Sequence, residues 1–288
     1  MATAVDLFER DERVAIVMAD ISLDYLRPAV EHDPRRAINA GIMEQSAIGI
    51  AAGFALEGFH PIVHTLAPFL TERPLEQIKL DFGYQGLGGT FISAGAAYDY
   101  GESGGTHHAA GDIQALGSIP GLEVLVPGSA AETDALLRAS YANGRPTYLR
   151  TSVVENREPV ELAPGGLTVM RRGAELTVIA AGPFLSRTLD ALEGIDATVL
   201  YATTLVPLDA ETLAREATST KVVLVEPAYE GTSAAQVAAA LSHRPTQLLS
   251  IGVPRQFIER YGTSAEHDAA LGLDVRGIRE RIVAFSDR

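Results

Sequence analysis

Two segments carry residue types that could do chemistry. Asn39-Ala40-Gly41-Ile42-Met43-Glu44-Gln45 puts a carboxylate where a largely apolar stretch, Glu44 to Glu57, begins its helical pattern before Gly58. Complementing the helix dipole, worth ~0.3–1 kcal/mol, is the plain reason for an acid there. The second segment is Asp99-Tyr100-Gly101-Glu102-Ser103-Gly104-Gly105-Thr106-His107-His108, followed by Gly111-Asp112. Glycines let a backbone approach a ligand closely, and imidazoles exchange protons near neutral pH. A flexible turn with two solvated histidines accounts for the same letters. Metal binding by the adjacent histidines is the weaker reading, because no third ligand follows at helical spacing and neighbours on an extended chain point apart.

The elements that must position these residues alternate along the chain. Arg13 to Asp20, Pro61 to Thr65, Gly89 to Ala94, Leu122 to Pro127 and Thr147 to Thr151 read as strands; Glu44 to Glu57, Glu72 to Phe82 and Ser129 to Asn143 read as helices. The last begins Ser129-Ala130-Ala131-Glu132, a capping-box pattern. From Ser152 to Gly166 the pattern lapses into Glu, Arg, Pro and Gly. A second alternation follows, with strands at Leu176 to Ala181, Ala197 to Ala202, Lys221 to Glu226 and Gln247 to Ile251. Its helices are Pro183 to Glu193, Asp209 to Ala217, Thr232 to Ser242 and Asp274 to Phe285. Strands alternating with helices imply β-α-β units, so the expected fold class is α/β: two consecutive domains, 1–155 and 167–288, joined by a linker at 156–166, with mainly parallel sheets covered by helices. In such sheets ligands bind beyond the carboxyl ends of the strands, which selects the loops after Asp20, Thr65, Ala94 and Thr151.

Composition narrows the function classes. The 288 residues favour two domains, and 47% hydrophobic with 6% aromatic residues implies aliphatic cores. With 37 acidic against 23 basic side chains, the formal charge of -14 opposes binding to nucleic acid or an anionic membrane. The absence of cysteine removes disulfides, thiolate nucleophiles and zinc-thiolate sites, and fits a cytoplasmic location. The longest apolar stretch, Ala47 to Leu56, falls short of the ~20 residues needed to span a bilayer, and the N-terminal segment has no secretory pattern.

The motifs taken together resemble one family. Gly41-Ile42-Met43-Glu44-Gln45 opening a helix, Phe69-Leu70 before a Glu-Gln-Ile helix, then Gly101-Glu102-Ser103-Gly104-Gly105-Thr106-His107-His108 is similar to the pyrimidine-binding domain of transketolase-family thiamine diphosphate enzymes. The order holds over most of residues 13 to 151. Thr203 to Asp209, Leu224-Val225-Glu226, Gly252-Val253-Pro254, Phe257-Ile258-Glu259 and Gly272-Leu273-Asp274 resemble the C-terminal domain of transketolases and deoxyxylulose-phosphate synthases. The family's diphosphate motif, Gly-Asp-Gly with a later Asn, is missing. The chain therefore resembles the C-terminal subunit of a split transketolase, whose diphosphate-binding, N-terminal subunit is a separate polypeptide in an α2β2 heterotetramer.

The resemblance implies transfer of a two-carbon ketol unit from a ketose to an aldehyde, with thiamine diphosphate as cofactor and Mg2+ and diphosphate held by the partner subunit. Glu44 matches the carboxylate that shares a proton with the pyrimidine ring, a bond that a sheltered site strengthens. Phe69 matches the stacking aromatic, and Asp20 the acid of an Ala-Asp pair near the cofactor. His107 matches the histidine that contacts substrate oxygens and shuttles protons; His108, Ser103 and Arg150 fall among the substrate-binding positions. Each also has an ordinary reading: a core phenylalanine, a strand-end acid, a surface salt bridge at Arg150. Three departures bear on substrate: Ser103 replaces an acid, Phe91 to Ala97 lacks a histidine, and Arg150 is offset by one from the phosphate-binding arginine. They lead us to expect a sugar other than the standard pentose phosphates, including an unphosphorylated one. The beta subunit of a 2-oxo-acid dehydrogenase decarboxylase, and a noncatalytic module retaining the fold, are the competing readings.

Overall fold

The computed structural model describes residues 1–287. The first half runs α1 (Ala2–Arg10), β1 (Val14–Met18), α2 (Leu23–His32), β2 (Ala37–Asn39), α3 (Glu44–Leu56), β3 (His60–Leu66), α4 (Ala67–Thr71), the single turn α5 (Leu75–Gln77), β4 (Gly89–Ala94), α6 (Asp112–Gly117), β5 (Glu123–Leu125), α7 (Ala130–Ser140) and β6 (Pro146–Arg150). The second half runs β7 (Leu167–Arg171), β8 (Leu176–Ala181), α8 (Leu185–Ala191), β9 (Ala197–Ala202), β10 (Thr204–Val206), α9 (Ala210–Glu216), β11 (Lys221–Tyr229), α10 (Ala234–Ala240), β12 (Gln247–Val253), α11 (Ser264–Leu271) and α12 (Val275–Ser286).

Two sheets result, as the alternation requires. One has strand order β10-β5-β6-β4-β3-β1-β2, the other β12-β11-β8-β9-β7. All pairings are parallel except β10 with β5 and β7 with β9. Every residue of β1, β8 and β9 is buried, the signature of parallel strands covered on both faces. The halves are not independent. Strand β10, from the second half of the chain, joins the first sheet, and one apolar core runs from Val17, Phe91 and Tyr148 through to Ile179, Leu200 and Leu224.

Local chemistry changes two of the expected helices. Pro74 lacks an amide hydrogen, so α4 ends at Thr71 and the expected Glu72 to Phe82 helix begins only at Leu75, continuing as a π-helical segment from Ile78 to Tyr84. Ser129 caps α7 by accepting from the Glu132 amide, but Glu132 does not return to the Ser129 backbone. Its carboxylate instead accepts from the Gly128 and Val160 amides and from the Tyr201 hydroxyl, tying the two halves together. The complete capping box is at Thr263 and Glu266 of α11. Helices α1, α2, α4, α6 and α11 and strands β2, β7 and β10 are additions to the sequence-based pattern. No described helix is long and apolar enough to cross a membrane.

Candidate active site

Parallel pairing brings the carboxyl ends of β1, β3, β4 and β6 to one edge of the first sheet. The chain beyond β3 enters α4 with Phe69, and the chain beyond β4 enters the glycine-rich loop with His107. Glu44 is the first residue of α3 and is 3% exposed.

Two of the expected residues, Glu44 and Phe69, meet around one that was not expected, and a third, His107, packs on Phe69. The Arg73 guanidinium donates to both Glu44 carboxylate oxygens, at 2.9 and 3.0 Å, and lies 3.8 Å over the Phe69 ring. Phe69 meets the His107 imidazole edge to face, with centroids 5.2 Å apart. Arg73 can hold this position because Pro74 ends the helical path just beyond α4. Its side chain is 42% exposed, while that of Glu44 is nearly enclosed, so the pair is open on the arginine side. A Phe-x-x-x-Arg spacing three residues beyond β3, with an acid at the start of α3, is the signal for Arg73 in the sequence.

Asp20 stands at the end of β1 with φ of 52°, in the left-handed region. Its backbone amide and carboxylate exchange hydrogen bonds with the Asn39 side chain, and the Asn39 oxygen also accepts from Gly41. Asp20 and Asn39 thereby fix the turn that leads to Glu44. Ser22, also left-handed, bonds His64, whose other ring nitrogen meets the Ile92 carbonyl at 2.9 Å. Burial pulls the His64 pKa down to about 4, so the ring is neutral. His64 went unassigned in the sequence, although a histidine near the end of an apolar strand marks the ligand edge of the sheet.

Other expected residues lie elsewhere. Ser103 is exposed on the loop. His108 turns toward the second half of the chain, 5.8 Å from the buried His267 ring, and burial followed by repulsion from His267 and His107 lowers its pKa. Arg150 corrects the phosphate expectation. It has no exposed surface: Nε donates to Asp112 at 2.7 Å and Nη2 to the Pro227 carbonyl at 2.8 Å. The Tyr148 hydroxyl also donates to Asp112, and burial holds that tyrosine's pKa well above its ordinary value. Arg150 is a buried tie between the two halves, with no face to offer a sugar. No group of three or more potential metal ligands gathers among the described residues.

The fold and this edge define a two-domain α/β protein with a ligand site at the carboxyl ends of parallel strands. The profile described as "Transketolase, pyrimidine binding domain" matches residues 2–157, and "Transketolase, C-terminal domain" matches residues 165–278. The chain belongs to the transketolase family. It is 43% identical to an uncharacterized 33.6 kDa protein in the fasciation locus of Rhodococcoides fascians, covering 96% of this chain and 90% of that one. It is 30% identical to one of the subunits of the apulose-4-phosphate transketolase of Phocaeicola vulgatus, covering 98% and 95%. Among solved structures, "Split gene transketolase, inactive beta4 tetramer" aligns over 99% of this chain and 95% of that one, with a TM-score of 0.85 and 27% identity.

The family depends on thiamine diphosphate, and the residues present suit its pyrimidine. Arg73 supplies the test: a planar group whose N–H donors face Glu44 and whose face covers Phe69 already sits there. A pyrimidine carrying the shared proton on its ring nitrogen would present Glu44 with an N–H donor and Phe69 with the same flat face.

Proposed function

We propose that this chain is the C-terminal subunit of a split, thiamine diphosphate-dependent transketolase that moves a two-carbon ketol unit from a ketose to an aldehyde. The carrying observation is that Glu44 and Phe69 hold one planar guanidinium between them, N–H toward the carboxylate and face toward the ring, with His107 packed against Phe69. The bound cofactor supplies the nucleophilic carbon for carbon–carbon cleavage and transfer. Glu44 holds the proton shared with the pyrimidine, Phe69 stacks on the ring, and the Asp20–Asn39 clasp fixes the approach to α3. His107 exchanges protons with sugar oxygens.

The partner in this reading is a diphosphate-binding subunit in an α2β2 heterotetramer, which also brings Mg2+, and the complex works in the cytoplasm. The relatives named as a transketolase subunit and a split-gene transketolase, and the net charge of -14, support that division of labour. A chain with such a charge is poorly suited to cradle a diphosphate alone.

The test is Glu44→Ala in the complex reconstituted with a diphosphate-domain subunit, thiamine diphosphate and Mg2+. Ketol transfer should fall by about 10²–10⁴-fold, with the complex still forming on a sizing column. Full activity in that variant would overturn the role of Glu44. Decarboxylation of a 2-oxo acid with acylation of a lipoyl domain, in place of ketol transfer, would favour the dehydrogenase reading.

A further inference from the structure

The glycine-rich loop after β4 packs against the second half of the chain, and its glycines mark where. A Cβ on Gly101 would run into the His267 ring and stand 2.5 Å from the Gly262 carbonyl oxygen. One on Gly104, whose φ is +74°, would stand 2.6 Å from the Tyr261 ring. Two side chains, one from α11 and one from the segment leading into it, thus occupy the space that a Cβ would need. Nothing lies within 4 Å of the same position at Gly105. Of the three glycines, Gly105 alone faces open space; the other two admit protein.

Hydrogen bonds carry that contact on to His107. The Gly262 amide donates to the Gly101 carbonyl at 3.4 Å, and the same carbonyl accepts from the Gly104 amide at 3.1 Å. The Gly104 carbonyl in turn accepts from the His107 amide at 2.9 Å. The path threads two 3₁₀ turns, Gly101–Ser103 and Gly105–His107. The near side of the loop is anchored separately. The Ser264 hydroxyl donates to the Asp99 carbonyl at 3.3 Å, and the Tyr98 hydroxyl donates to Asp268, which Arg187 also holds at 2.9 Å. His267 is fully enclosed, with the Tyr98 and His108 ring centroids 5.5 and 5.8 Å away. Neither of its ring nitrogens has a hydrogen-bond partner among the described residues, so what it contributes to this contact is the size and shape of its ring.

We infer that Tyr261 and His267 are positioning residues for the proposed ketol transfer. By filling the places of two absent Cβ atoms they fix the two turns that present His107, so the second half of the chain shapes the active site without touching the reacting atoms. The inference rests on the proton exchange proposed for His107.

Tyr261 is 70% exposed, so its truncation should leave the urea midpoint unchanged. In the reconstituted complex Tyr261→Ala should lower kcat by about tenfold, more than it raises KM, with the thiamine diphosphate concentration for half-maximal activity unaltered. Tyr261→Phe, which keeps the ring over Gly104, should restore kcat; His267→Ala should lose it and His267→Phe regain it. On a His107→Ala background the Tyr261 truncation should cost less than about twofold, since nothing is left to position. An additive loss on that background, an unchanged kcat in Tyr261→Ala, or equal losses in the Ala and Phe variants at either position would overturn the inference. Absence of ketol transfer by the natural complex counts against the proposed function instead. The ring-proton NMR signals of His107, identified by their disappearance in His107→Ala, then decide the positioning. They should move in Tyr261→Ala and return in Tyr261→Phe, and signals left in place by Tyr261→Ala would overturn it.

Discussion

Arg73 holds Glu44 and Phe69 at once, so it competes for the groups assigned to the pyrimidine. A part-exposed ion pair contributes about 0.2–1 kcal/mol and a cation–π contact about 0.5–1 kcal/mol. Removing both should therefore tighten thiamine diphosphate binding by about threefold to thirtyfold in Arg73→Ala, read as the cofactor concentration for half-maximal activity of the reconstituted complex. Weaker binding in that variant would make Arg73 a cofactor contact instead of a competitor. Glu44, Phe69 and His107 were legible in the sequence because each sits in a motif with a distinctive neighbourhood. Arg73 was not, since its role depends on Pro74 interrupting the helix and on the segment between α4 and α5 passing the start of α3, neither of which local spacing reveals. Arg150 shows the opposite failure: a residue near a familiar position whose strand turns it fully inward.

At the scale of elements, the loop after β4 and the end of β6 are held by a buried ion pair. Asp112 at the start of α6 takes hydrogen bonds from Arg150 and Tyr148, and Arg150 reaches on to the Pro227 carbonyl in β11. Asp112→Asn leaves the enclosed guanidinium without its counter-charge, which should cost about 3–5 kcal/mol in chemical denaturation at pH 7. A loss below ~1 kcal/mol would mean that water or another acid reaches Arg150. The α/β alternation itself was readable, because fully buried runs such as Val14 to Met18 separated by turn residues admit few other folds. The helix expected from Glu72 to Phe82 starts three residues late and turns π-helical, because apolar periodicity continues through Pro74 while the regular backbone hydrogen bonds cannot.

For the molecule as a whole, the two halves act as one body, and this was the least legible feature. The linker reading treats Thr203 to Asp209 as part of the second unit, yet β10 pairs with β5 of the first sheet, and Glu132 of α7 binds Val160 and Tyr201. Glu226 lies fully enclosed on β11, beside the Pro227 carbonyl that Arg150 reaches. Burial lifts its pKa from 4.5 to about 7. A raised folded-state pKa on an acid means that stability is full below the unfolded value of 4.5 and is lost as pH rises through about 7. The loss amounts to about 3 kcal/mol on the alkaline side. Glu226→Gln should therefore unfold later in urea than the natural chain at pH 8, with the difference shrinking toward pH 5. An equal difference at both pH values would show that the residue does not titrate across this range.

The division of the active site between two polypeptides is the central claim, and ketol transfer by this chain alone and with added partner tests it directly. The purified chain with thiamine diphosphate, Mg2+ and D-xylulose plus an aldehyde acceptor should show almost no turnover. Titrating in a polypeptide that carries Gly-Asp-Gly and the later Asn should raise the rate until it saturates at equal stoichiometry. Substantial ketol transfer by this chain on its own, or none at any ratio of the two, would contradict the account.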